Sequence, residues 1–157
     1  MLPKPIEILP QQPPFLFVDE YLELDENHCL AKYTFKQNEW FFKGHFPGNP
    51  IVPGVVLIEA MAQTGVSIGI FRVSQKEKVP MEKVKEISLS VFVRIGEVEF
   101  LGMVKPEETV FISSRIKFYR FNKFETEGEI YKMVEGQKKI VCAHQSIVGQ
   151  GLKLPRV

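Results

Sequence analysis

Apolar and polar positions change rhythm twice along this chain, and the changes mark out its elements. From Phe15 to Leu22 and from His28 to Phe35 the residues are β-branched, aromatic or alternating, with Asp25-Glu26-Asn27 as a turn between them. Two strands joined as a hairpin are predicted there. From Val55 to about Val73 alternation gives way to continuous aliphatic and small residues, a single helix. At roughly 1.5 Å per residue, that helix is long enough to cross a small domain. Its polar residues Glu59, Gln63 and Ser67 recur at i, i+4 and i+8 and form one stripe. The rest of its surface is apolar, so burial nearly all round is expected. Gly65 and Gly69 fit places where a sheet comes close.

Alternation returns in the second half. Glu86 to Ile95, Thr109 to Phe121, Phe124 to Val134 and Lys138 to Val148 read as strands, with turns at Asn122-Lys123 and Glu135-Gly136-Gln137. The charged stretch from Gln75 to Lys85 reads as a surface connection. The expected architecture is α+β: an antiparallel sheet of about six strands curled around one long central helix. Before it, the first fourteen residues hold five prolines and read as an extended lead-in, with a short helical turn around Ile6 to Leu9. Residues 37–54 form a loop that Trp40, Phe41 and Phe42 would anchor.

The length of 157 residues fits a single domain, 1–157, with the lead-in at 1–14. A hydrophobic share of 45% and thirteen Phe supply a core. The net charge of +1 gives no broad basic field, which argues against a nucleic-acid partner. Aromatic and basic residues do mix between Phe118 and Phe124, but hairpin strands facing a core explain them better than base stacking. Cys29 and Cys142 have no metal spacing, so no metal or cofactor is expected. The sequence leaves a disulfide open, with two buried thiols of a cytosolic protein the expected state. The acid and prolines of the N-terminus do not read as a signal peptide, and Glu59 interrupts the apolar run at Val55–Ile58. A cytoplasmic chain without membrane insertion is expected.

Candidate chemistry concentrates between His45 and Gln63. His45 stands in a turn built from Pro47, Gly48, Pro50, Pro53 and Gly54, and the turn runs into the helix that carries Glu59. A neutral histidine is a base suited to removing a proton alpha to a thioester carbonyl. Free N–H groups at the helix start, around Gly54 and Val55, can stabilise an enolate oxygen. A carboxyl group in apolar surroundings stays protonated more readily, so Glu59 can donate to a departing hydroxyl. Taken singly, each residue also has a plain structural role: His45 in a loop, Glu59 near a helix start, the prolines in a stiff turn. Their ordered combination points to a site. His28 and His144, in apparent strands without a carboxylate pattern, read as structural.

The run His45-Phe46-Pro47-Gly48-x-Pro50-x-x-Pro53-Gly54-Val55, followed by Glu59-Ala60-x-Ala62-Gln63, resembles the signature of the β-hydroxyacyl-acyl-carrier-protein dehydratases. These are hot-dog-fold enzymes of fatty-acid synthesis, of the FabZ and FabA types. The stretch Leu9-Pro10-x-x-x-Pro14-Phe15-Leu16-x-Val18-Asp19 resembles the start of the FabZ type, and glutamate at position 59 points the same way. The resemblance implies that His45 and Glu59 are catalytic and that Gly54 polarises the thioester carbonyl. It also implies substrate contacts at Val55, Phe46, Pro53 and Gln63. It implies a substrate delivered by acyl carrier protein and a site shared between the two chains of a homodimer, which can assemble further into a hexamer. The expected reaction is dehydration of a (3R)-hydroxyacyl thioester to the trans-2-enoyl product. A hot-dog thioesterase and a non-catalytic acyl-binding homologue are the alternatives.

Two departures qualify the match. Gln11 and Gln12 stand where the family usually has His-Arg, and the basic segment after the family's third strand is replaced by Phe100 to Glu108. The second departure removes basic residues expected to face an acidic carrier. The Lys76, Lys78, Lys83 and Lys85 cluster reads as solvated surface, with a carrier's phosphopantetheine arm as its one alternative partner.

Overall fold

A computed structural model describes residues 1–153, excluding the side chains of Ile87 and Ser88. Among the described residues the chain forms a hot-dog fold: an antiparallel sheet of seven strands around one long helix. A short helix α1 (Pro5–Ile8) leads to β1 (Glu20–Leu24) and β2 (His28–Thr34). The central helix α2 (Gly54–Glu77) and a short α3 (Met81–Ile87) follow. The remaining strands are β3 (Ser88–Ile95), β4 (Val98–Phe100), β5 (Thr109–Arg120), β6 (Lys123–Val134) and β7 (Gln137–Lys153). The sheet runs β1-β2-β5-β6-β7-β3, and β4 pairs with β7 farther along the side that holds β3.

α2 starts at Pro53, whose fixed φ of −59° suits the position before a helix, and ends where Lys78 turns left-handed at φ 53°. By length and composition it could cross a membrane, yet 72% of its apolar window is buried inside the protein. It is the core helix. Its first half packs Leu57, Ala60 and Met61 against Phe17, Phe35 and Ile112. Its second half packs Val66, Ile68 and Ile70 against Leu9, Cys29 and Phe124. The expected polar stripe faces inward: Gln63 and Ser67 are fully buried, and Ser67 Oγ bonds to the Tyr21 hydroxyl at 2.6 Å. Gly65 lies against the sheet as expected, since a Cβ there would meet Thr126 Cγ2 at 3.2 Å.

The sequence expectations differ from the fold in four places. The expected strand from Phe15 begins only at Glu20, because the Gln63 side chain takes up backbone groups of Phe15 and Phe17 that a ladder would need. The three-residue β4 adds a seventh strand to the expected six. The charged connection after residue 75 completes α2 and then forms α3, where Val84 is buried deeply among surface charges. Phe41 and Phe42 anchor the loop after β2, whereas Trp40 stays exposed. Cys29 and Cys142 are both free, buried thiols.

Candidate active site

The loop that presents His45 is clamped to itself. A 3-10 turn at Trp40–Lys43 precedes it, and the His45 N–H donates to the Phe41 carbonyl at 3.0 Å. Ile51 then closes the loop twice: its N–H donates to the His45 carbonyl, and its own carbonyl lies 2.9 Å from His45 Nδ1. A carbonyl only accepts, so Nδ1 carries the proton and Nε2 is left as the basic nitrogen. Phe46 stacks on the imidazole at 4.1 Å between centroids and remains about half exposed. Gly48 takes a φ of +75°, a turn conformation that other side chains rarely adopt.

The helix start lies after this loop. Among the described residues, no backbone acceptor is bonded to the N–H of Gly54 or Val55, so both donors are available. The Phe100 ring occupies the space beside Gly54, where a Cβ would sit 2.8 Å from Cε1. Only glycine lets β4 come so close to the helix start. Pro53 caps the helix and Val55 points outward, 72% exposed. Phe100, Leu101 and Met103 are exposed around the same rim, so the altered segment presents apolar surface there. Glu108, one of its acids, is held in an ion pair with Lys132 at 2.8 Å.

One turn farther along α2, Glu59 faces a cleft of about 250 Å³ whose walls include Gln11, Ala62, Val91 and Phe92. Burial raises the Glu59 pKa above the ordinary carboxylate range, against opposing hydrogen bonds from Gln63 and Gln11. The Gln63 amide is shared three ways. Its Oε1 accepts from the Phe17 N–H at 2.8 Å, while its Nε2 donates to the Phe15 carbonyl and to Glu59 Oε1, each at 2.9 Å. Gln63 is thus a buried support for Glu59. Gln11 was visible in the sequence only as a departure from the family pattern, and it lies directly against the acid. Gln12 ties down the lead-in instead, donating to the Leu9 carbonyl at 3.1 Å.

His45 is not among the residues lining the Glu59 cleft. Within one chain, His45 and Glu59 therefore open onto different surroundings. His144 is buried with both ring nitrogens unpartnered among the described residues, and burial lowers its pKa to about 4, so it stays neutral. His28 bonds to Ser113 at 3.1 Å on the sheet surface.

A sequence model described as a FabA-like domain matches residues 9–147. The chain belongs to the FabA-like family. A 3-hydroxyacyl-[acyl-carrier-protein] dehydratase FabZ of Caldicellulosiruptor bescii is 35% identical over 145 residues, covering 88% of this chain and 90% of that protein. The bifunctional enzyme LpxC/FabZ of Chlorobaculum tepidum is 40% identical over 137 residues; these span 86% of this chain but 26% of that enzyme. Among solved structures, the dehydratase heterocomplex ApeI:P from Xenorhabdus doucetiae superposes with a TM-score of 0.73 at 14% identity. That match covers 96% of this chain and 91% of the other, and it shows the shared fold.

Proposed function

We propose that this FabA-like protein is a (3R)-hydroxyacyl-[acyl-carrier-protein] dehydratase of the FabZ type. His45 Nε2 takes the alpha proton of the thioester, and the N–H groups at Gly54 and Val55 hold the developing enolate oxygen. The protonated Glu59 gives its proton to the 3-hydroxyl, which leaves as water, and the electron pair released from the alpha carbon forms the trans-2 double bond. Return of the proton from His45 to the carboxylate, through solvent, resets the pair. Phe46 and Pro53 line the approach of the substrate arm. The observation that carries this reading is a carboxyl group with a raised pKa, held by Gln63 at the wall of a largely apolar cleft. Dehydration is favoured over thioester hydrolysis because the curated relatives are dehydratases.

The working unit in this reading is a homodimer at least, with pairs able to assemble into a hexamer. β3 is a sheet edge whose apolar residues Leu89, Val91, Phe92 and Val93 are 40–51% exposed. A second copy covering that edge would remove an aggregation-prone surface and close the Glu59 cleft. The partner's His45 loop would then complete the site. The substrate arrives on acyl carrier protein.

Mass spectrometry of carrier-bound (3R)-hydroxyacyl substrates tests the reading by the loss of one water. Activity is expected in the wild type, with His45→Ala and Glu59→Gln each reducing turnover by about 10²–10⁴-fold. Unchanged turnover in both variants would refute the assignment.

A further inference from the structure

Two cavities lie along α2 and share three lining residues. The first, about 250 Å³, holds Glu59. The second, about 140 Å³, lies toward the far end of the helix, walled by Gly69, Ile70, Val73, Leu89 and Tyr119. Val66, Ser90 and Phe124 line both. Of these, Phe124 projects from β6 as a ring between helix and sheet, and it is 4% exposed.

One glycine makes room for that ring, and two more lie against it. A Cβ at Gly149 would come within 2.4 Å of Phe124 Cζ, while Cβ atoms at Gly65 and Gly69 would each touch the ring at 3.7 Å. Any side chain at Gly149 would displace the ring, whereas a methyl group at Gly65 or Gly69 would rest against it in ordinary contact. The ring is therefore seated where β6, β7 and α2 come together, with the Glu59 cleft on one side and, on the other, a chamber that Glu77, Asn122 and Lys153 also line.

We propose that Phe124 is the floor of the acyl tunnel and sets the upper chain length of the substrate. The inference rests on the dehydratase reading, which puts the reacting carbons at Glu59 and the carrier arm toward Gly54. The saturated tail then has one apolar direction left, down α2 toward Val66, and the Phe124 ring stands across it. Seven residues separate Glu59 from Val66, about 10 Å along the helix, so the first chamber takes a tail of limited length. The second chamber, apolar along α2 and polar toward Glu77 and Lys153, is reserve space that the wild-type ring withholds.

The test measures binding of acyl-pantetheine amides, from four to sixteen carbons, to the full chain by calorimetry. These ligands do not react, so the readout does not depend on turnover. Wild-type affinity should rise with length and then fall beyond a limit. Phe124→Ala should raise the ratio of long-chain to short-chain affinity at least tenfold. Phe124→Leu, a milder change in the core, should move the limit the same way. Adding Val73→Phe to Phe124→Ala refills the far chamber and should restore the wild-type limit. The same limit in Phe124→Ala, Phe124→Leu and wild type would overturn the inference. So would a shorter limit caused by Val73→Phe in an otherwise wild-type chain, because the tail would then already pass the ring. A length limit insensitive to position 124 would defeat this inference alone, whereas a wild type that dehydrates no hydroxyacyl thioester would defeat the dehydratase reading.

Discussion

Gln63 donates a hydrogen bond from Nε2 to Glu59 Oε1 at 2.9 Å, and the same amide holds the backbone of Phe15 and Phe17. One fully buried side chain thus joins the acid to the segment that enters the sheet. The bond favours the ionised carboxylate, so removing it pushes the Glu59 pKa further up. Gln63→Met, similar in shape but without the amide, should move the alkaline limb of the pH–rate profile to higher pH. Turnover should fall by about ten- to hundred-fold as the acid loses its orientation. Chemical denaturation should also show a loss of about 1–3 kcal/mol, because the Phe17 N–H is left without its acceptor. A stability loss with an unmoved pH profile would make Gln63 a structural residue only.

Glu59 should itself cost stability. Its folded-state pKa lies above the ordinary value, so ionisation is harder in the folded chain than in the unfolded one. The penalty is absent below the unfolded pKa, grows as pH rises toward the folded value, and is full above it. Glu59→Gln removes the charge while keeping an acceptor for Gln63. At neutral pH it should stabilise the protein by about 1 kcal/mol, seen as a rise in Tm of about 2–4 °C. The gain should vanish in acid. A variant that is less stable at neutral pH would contradict the raised pKa.

The histidine-to-glutamine motif was legible because its constraints are local. Pro53 and Gly54 set a helix start, and fourteen residues of loop and helix fix the order of His45, the free N–H groups at Gly54 and Val55, and Glu59. The central helix was legible because its apolar run has no competing period. What could not be read depends on contacts distant in sequence. The extended segment at Phe15 has strand composition, but its partner is the side chain of Gln63, forty-eight residues away. The tautomer of His45 is set by the Ile51 carbonyl, whose direction depends on the folded loop. Gln11 gave no sign of meeting Glu59 beyond its departure from the family pattern. α3 was hidden because its charged face outweighs the deeply buried Val84.

His144 should make the fold sensitive to acid. Burial, with Lys117 nearby, lowers its pKa from 6.5 to about 4, and neither ring nitrogen has a partner among the described residues. Between those values the unfolded chain takes up a proton that the folded chain refuses, so stability falls as pH drops through that window. His144→Leu removes the titrating group. The stability difference between wild type and this variant should shift against the wild type by about 2 kcal/mol from pH 7 to pH 4. A difference independent of pH would show that the imidazole titrates normally.

Mixing two inactive chains tests whether the site is shared. His45 does not line the Glu59 cleft of its own chain, and the proposed dimer supplies the missing base from the partner. Consider His45→Ala and Glu59→Gln chains co-expressed in equal amounts. Half of the dimers contain one chain of each kind, and each mixed dimer has one site with both groups intact and one with neither. Activity should recover to about a quarter of the wild-type value, although each variant alone is nearly inactive. If base and acid acted within one chain, every site in the mixture would lack one group and nothing would recover. Tandem affinity tags, one on each chain, isolate the mixed dimers, whose activity should then be about half that of wild type. Recovery in the mixture but none in the purified mixed dimer would mean that the sites complement by some contact other than the shared cleft.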